Sequence, residues 1–255
     1  MQHVRLLILI IGIFQSGLSF AQVETSTKFT GEAKMVVVEP TNIITTEKDG
    51  NYQLVPYRER RPSWGTVLSL SYSNFEPLEY EPNFLQVNFD EIYSRPEMPL
   101  LELQFAVKKN LSFGSLGGEI SVGIYQNDSD EPTLVDSSLQ LIPVKLGAVF
   151  YLDALRPEPF IVPYVSGGGY IMLYRETLND SSFSGNTQVA PYFNAGLAFS
   201  LDWFDRHAAR ISYEQSGIEA SYAYLEARTQ FQAGDDKDPD FSSAVNFAGG
   251  LRVEF

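Results

Sequence analysis

The feature that most constrains this chain is alternation. Apolar and polar side chains exchange places residue by residue, and a period of two puts successive side chains on opposite faces of a strand. In 64–72, Trp64, Thr66, Leu68, Leu70 and Tyr72 share one face, and Gly65, Val67, Ser69 and Ser71 share the other. In 101–108, Leu101, Leu103, Phe105 and Val107 oppose Glu102, Gln104, Ala106 and Lys108. The same pattern returns in 116–125, 142–151, 189–202, 208–216 and 244–255. Segment 160–174 reads as extended, although Gly167, Gly168 and Gly169 blur its faces. A helical period is hard to find. The segments total eight, an even number, and each approaches the length a tilted strand needs to cross a bilayer.

The connections sort into two classes. Short ones are expected at 109–115, 153–159 and 203–206; longer ones at about 74–99, 127–137, 176–187 and 217–241. Short turns at one end and long loops at the other are the anatomy of a membrane barrel with its long loops outside. The expected fold is therefore all-β: an eight-stranded antiparallel up-and-down transmembrane β-barrel. A β-sandwich is the alternative, but it does not require loop lengths to alternate.

The first residues agree on the compartment. Arg5 precedes an apolar run from Leu6 to Phe14, and Ser19-Phe20-Ala21 offers small residues at a cleavage site. The run is too short for a membrane anchor, so 1–21 reads as a secretory signal peptide. Residues 22–62 are expected to form a flexible periplasmic extension, and 63–255 the barrel in the cell outer membrane. The chain has no cysteine, so no disulfide, thiolate metal site or lipoprotein anchor is available.

The last strand places Phe247, Leu251, Val253 and Phe255 on one face and ends on the aromatic. In this the chain resembles the OmpA-like and OmpW-like family of small eight-stranded outer-membrane barrels. Val162-Pro163-Tyr164-Val165-Ser166-Gly167-Gly168-Gly169-Tyr170 also looks like a strand of that family. The resemblance covers about 63–255. It implies that Leu251, Val253 and Phe255 are read by the barrel assembly machinery, and that outer-membrane lipids and lipopolysaccharide are partners. The large cell-wall-binding domain that follows some OmpA-like barrels is expected to be missing.

Charge divides the same way. Removing the signal peptide, whose one charged residue is Arg5, takes the net charge from −14 to −15. The four long loops as drawn account for all of it, counting Glu176, Glu219, Glu226 and Arg228 among their residues. A negative rim repels nucleic acid. Asp235, Asp236, Asp238 and Asp240 are a weak candidate cation site, although no twelve-residue calcium loop is present. The second such cluster is Asn127-Asp128-Ser129-Asp130-Glu131.

Charges on the inward faces carry the functional argument. Glu102, Glu119, Lys145, Arg210, Glu214 and Arg252 are expected to form a lumen network, with Lys108 and Glu254 also facing in. An eight-stranded barrel is just wide enough to be filled by its own side chains. Charges inside it must be paired, and Arg252 is expected to reach Glu214. Strand-end aromatics are expected in two girdles: Trp64, Phe150, Phe199 and Phe255 on the periplasmic side, and Tyr72, Tyr125 and Tyr174 outside. No cofactor is expected, and no enzyme: His207 is the one histidine after the signal peptide, at the end away from the outer leaflet. Two roles remain open. One is a structural or surface-interaction barrel; the other is a narrow channel or transporter for small or hydrophobic solutes.

Overall fold

The computed structural model describes residues 43–46, 52–75, 77, 80, 98–128, 137–178, 181–234 and 238–255. A hairpin, β1 (Ile43–Thr46) and β2 (Tyr52–Leu54), precedes one turn of helix, α1 (Tyr57–Arg60). The strands that follow are β3 (Trp64–Phe75), β4 (Met98–Asn110), β5 (Ser115–Asp128), β6 (Ser137–Tyr151) and β7 (Ile161–Leu178). Then come β8 (Ser181–Asn186), β9 (Ala190–Ser200), the helix α2 (Arg206–Ser216), β10 (Ala220–Gln230) and β11 (Ser243–Glu254).

Every strand from β3 to β11 pairs antiparallel with its neighbours, and β11 returns to β3. Eight strands close into a barrel, with β8 folding back along the far end of β7. The seam is sealed at its end by Phe255, whose backbone N–H donates to Thr66 and whose carbonyl accepts from Thr66, both at 2.9 Å. Closure leaves the barrel without an edge strand, so the ladder satisfies its own backbone groups.

The barrel is inside-out relative to a water-soluble protein. Leu70, Phe105, Ile120, Leu146, Phe193, Leu225 and Leu251 face outward and exposed, while Glu102, Lys108, Glu119, Lys145 and Arg252 are buried within. An apolar belt around a polar interior is stable only against lipid. Its outer end carries the connections 76–97, 129–136, 179–189 and 231–242; the other end carries both barrel termini and the turns 111–114 and 152–160. That second end is the periplasmic one.

One strand differs from the sequence reading. Segment 208–216, expected as the seventh strand, is the helix α2, and the seventh strand is β10, in a stretch expected to be loop. The helix has its own stop and start signals. Asp205 caps it by accepting from the backbone N–H of Ala208, and Gly217 ends it at φ 66°, a conformation that costs glycine little. The connection between β9 and β10 is therefore long and helical, not a four-residue turn, and loop lengths do not strictly alternate. Residues 220–230 win the wall position because they pair along their length with both β9 and β11.

The glycines of β6 and β7 explain the blurred faces of 160–174. Gly147 and Gly168 are cross-strand partners. A Cβ on Gly168 would lie 2.2 Å from the Leu146 carbonyl oxygen, and one on Gly147 would lie 2.2 Å from the Tyr192 hydroxyl. Tyr192, Gly168, Gly147 and Glu119 are side by side on four adjacent wall strands, so the two glycines leave room for the Tyr192 side chain to pass over them to Glu119.

Candidate functional site

The lumen is filled in three tiers. The lowest is an ion cluster at the periplasmic mouth. Lys108 points down from β4 and lies 2.8 Å from Asp153 and 2.7 Å from Glu254. Residues 54–61, grouped by sequence with the extension, dock against this cluster. The buried Tyr57 hydroxyl donates to Glu254 at 2.8 Å and accepts from Lys108 Nζ at 3.0 Å. Burial, and then the Glu254 charge, push the Tyr57 hydroxyl well above its ordinary pKa, which keeps it a neutral donor. Arg61 reaches Asp153 at 2.7 Å and donates to the Leu111 carbonyl. Arg60 donates to the Glu219 carbonyl at 2.7 Å and to that of Val55 at 2.9 Å. Burial works to raise the Asp153 carboxyl, but Lys108, Ser115 and Arg61 outweigh it and hold the pKa low.

The middle tier is the charge network. Lys145 from β6 lies 2.7 Å from Glu102 of β4. Arg228 from β10 bridges Glu102 at 3.6 Å and pairs with Glu226 on its own strand; its guanidinium also donates to Ser71 Oγ at 2.8 Å. Tyr164 donates to Glu226 at 2.7 Å, and Tyr192 donates to Glu119 at 2.8 Å. Arg252 from β11 is held differently. Its Nε donates to Ser69 Oγ at 3.0 Å, and its guanidinium carbon lies 4.2, 4.6 and 5.1 Å from the ring centres of Tyr164, Tyr224 and Tyr151. A desolvated cation over aromatic faces is worth about 2 kcal/mol or more per contact. The space left beside Arg252, Lys108 and Tyr222 is a cavity of about 10 Å³, roughly one water molecule.

The upper tier is apolar. Phe75, Leu100, Tyr125, Leu139, Leu141, Met172 and Tyr174 pack into one buried cluster, with Tyr80 and Phe241 laid across it from the two flanking loops. Tyr80 stacks on Phe241 at 4.7 Å, and its hydroxyl lies 3.0 Å from Glu176.

Glu102, Glu119, Lys145 and Arg252 lie inside the barrel together. Arg210 and Glu214 do not. Both sit on α2 at the periplasmic face, 3.9 Å apart, with side chains 18% and 50% exposed. Arg252 therefore does not pair with Glu214. The places of Arg210 and Glu214 are taken by Glu226 and Arg228, which fall within an expected acidic loop. Glu176 and Glu219 are also buried rather than on the rim, so the outer loops do not carry all of the net charge. Tyr125 and Tyr174 face the interior, not an outer girdle; Tyr72 does face outward.

Leu251 and Val253 lie on the outer face of β11, and Phe255, exposed, follows its last residue. Of the candidate cation residues, Asp235 and Asp236 lie outside the described residues. Asp238 accepts from the Gln188 backbone N–H and Asp240 from that of Ser242. In the second cluster Asn127 is buried, and Ser129, Asp130 and Glu131 lie outside the described residues. No metal-binding group of histidine or carboxylates forms among the described residues. His207 is exposed on α2.

Tyr57 could not have been found by period, because it precedes the first wall strand. The signal for β10 was present: Tyr222, Tyr224, Glu226, Arg228 and Gln230 alternate with Ala223, Leu225, Ala227 and Thr229. Its outward face is so weakly apolar that it reads as loop.

A closed wall of eight antiparallel strands, apolar outside and charged inside, defines an eight-stranded outer-membrane β-barrel. No family model and no curated protein matches the chain. Among solved structures the chain is similar to the outer membrane protein OprG from Pseudomonas aeruginosa, at 10% identity and a TM-score of 0.46 over 76% of this chain and 96% of that one. It is also similar to Ail, the attachment invasion locus protein of Yersinia pestis, at 14% identity and a TM-score of 0.42 over 75% and 97%. A third is Neisserial surface protein A, at 9% identity and a TM-score of 0.36 over 76% and 98%.

Proposed function

We propose that this outer-membrane barrel is sealed, and that its role is structural or one of surface interaction through its extracellular loops rather than transport or catalysis. The observation that carries the reading is the filled lumen. The middle tier holds Glu102, Glu119 and Glu226 against Lys145, Arg228 and Arg252, three acids and three bases. Glu102 and Glu226 are paired with Lys145 and Arg228, Glu119 accepts from Tyr192, and Arg252 is packed among tyrosine rings, whereas a conducting pore needs water around its charges. Below, Tyr57 and Arg61 stop the mouth; above, the apolar cluster of Phe75, Leu100, Leu139, Leu141 and Met172 packs across the barrel. Surface interaction would then fall to the outer loops, whose partner chemistry is that of lipopolysaccharide or another cell-surface molecule.

The test is conductance of the refolded full-length protein in planar bilayers. A sealed barrel gives no steady current at any applied voltage. Steady single-channel steps would overturn the reading and put a narrow channel for small or hydrophobic solutes in its place.

A further inference from the structure

The periplasmic face carries a feature that the sealed lumen does not use. Where β7 begins and β9 ends, a groove of about 480 Å³ opens between the docked N-terminal segment, the turn before β7 and α2. Four guanidinium groups line it, those of Arg60, Arg156, Arg206 and Arg210. Arg60 is engaged, 3.4 Å from Glu219 and 3.6 Å from Glu158. Among the described residues, the ion pair of Arg210 is the long contact to the half-exposed Glu214. Arg156 and Arg206 make no ion pair among the described residues. With Glu158 and Asp202 the two carboxylates in the lining, positive charge is in excess.

The groove also has an aromatic wall. Phe160 and Trp203 meet edge to face at 5.1 Å within it, and Phe204 extends the patch, 73% exposed. Aromatics at strand ends sit at the level of lipid headgroups. That places the guanidiniums at phosphate depth, and arginine binds phosphate oxygens in a fork. A free phosphate would need neither the aromatic wall nor this volume. The groove lies in the size range of small-molecule sites, with an apolar side and a few convergent polar groups.

We propose that this groove seats the phosphoglycerol headgroup of an anionic phospholipid from the periplasmic leaflet. Arg156, Arg206 and Arg210 hold the phosphate, and Phe160 and Trp203 cover the glycerol and the first acyl carbons. The proposal rests on the barrel spanning a membrane, and it is independent of whether the lumen conducts.

The chain has two tryptophans, Trp64 and Trp203. Trp64→Phe in the full-length protein therefore leaves Trp203 as the sole reporter. The refolded protein is titrated, in detergent micelles, with phosphatidylglycerol or phosphatidylcholine carrying brominated chains. Brominated phosphatidylglycerol should quench Trp203 at several-fold lower mole fraction. Arg206→Gln alone should reduce that preference about fivefold, the worth of one arginine beside an anionic lipid surface. The triple variant Arg156→Gln, Arg206→Gln, Arg210→Gln should abolish it. Equal quenching by the two lipids would overturn the proposal, as would a preference that survives the triple substitution. Loss of the preference in inorganic phosphate, but not in sodium chloride of the same ionic strength, would also overturn it by marking a site for free anions.

Discussion

Exchanging Arg228 for methionine should destabilise the barrel far more than the same exchange at Arg210. Arg228 is 3% exposed, pairs with Glu226, lies 3.6 Å from Glu102 and donates to Ser71. Its removal leaves Glu102 with Lys145, leaves Glu226 with the Tyr164 hydroxyl, and leaves three buried acids facing two bases. Removing one partner of a buried pair costs about 3–5 kcal/mol, because the other charge stays desolvated. Arg210 stands 3.9 Å from a half-exposed carboxylate, and such pairs contribute about 0–1 kcal/mol. The gap between the variants should therefore be about 2–5 kcal/mol. Urea unfolding from lipid vesicles, followed by tryptophan emission, measures it. Adding Glu226→Gln to Arg228→Met restores the charge balance and should recover part of the loss, a coupling that a double-mutant cycle isolates. Losses within about 1 kcal/mol of each other, the size of an exposed pair, would mean the middle tier is wet and the pairing argument fails.

Three further outcomes are expected. Burial raises the Asp202 carboxyl to about 6, so the folded state binds a proton that the unfolded chain has lost above about 3.9. Its contribution to stability therefore falls as pH rises through that window, and Asp202→Asn should flatten that part of the urea-midpoint profile; an unchanged profile would count against the burial. Arg61→Met should raise amide exchange across 54–61 without altering the barrel strands. Acid should lower the protection of these amides relative to their intrinsic exchange rate in the unmodified protein, because the depressed Asp153 carboxyl contributes above its unfolded pKa and stops contributing as pH falls through its folded value. Deleting Phe255 removes the last pair of seam hydrogen bonds with Thr66 and should lower outer-membrane levels while export past the inner membrane continues; normal abundance in a fractionated membrane would dismiss an assembly role for this residue.

Much of the wall was legible because membrane strands obey a local rule. Alternation at Leu68, Ser69, Leu70 and Ser71, or at Leu103 to Lys108, depends only on neighbours in the chain, and it places Glu102, Lys108, Glu119, Lys145 and Arg252 on the inner face. Partnership inside is not local. Which cation meets Glu102 depends on register between strands far apart in sequence, and alternation alone points to 208–216 for the seventh wall position although 220–230 occupies it. Ala209, Ile211 and Tyr213 alternate as well as many true strands do, while Asp205 and Gly217 bracket them as a helix.

By itself, then, the sequence determined two sorted faces on most of the wall strands, apolar on one side and polar or charged on the other, because a period of two depends only on neighbours in the chain; closure of the wall around the charges is what turns the apolar face to lipid. Only the tertiary structure decided that 220–230 closes the wall, because closure requires backbone hydrogen bonds to β9 and β11 at once. It also decided that Tyr57 and Arg61 stop the mouth and that Arg252 sits among three tyrosine rings. These contacts join residues about 30 to nearly 200 positions apart, and a period of two says nothing about separations of that length.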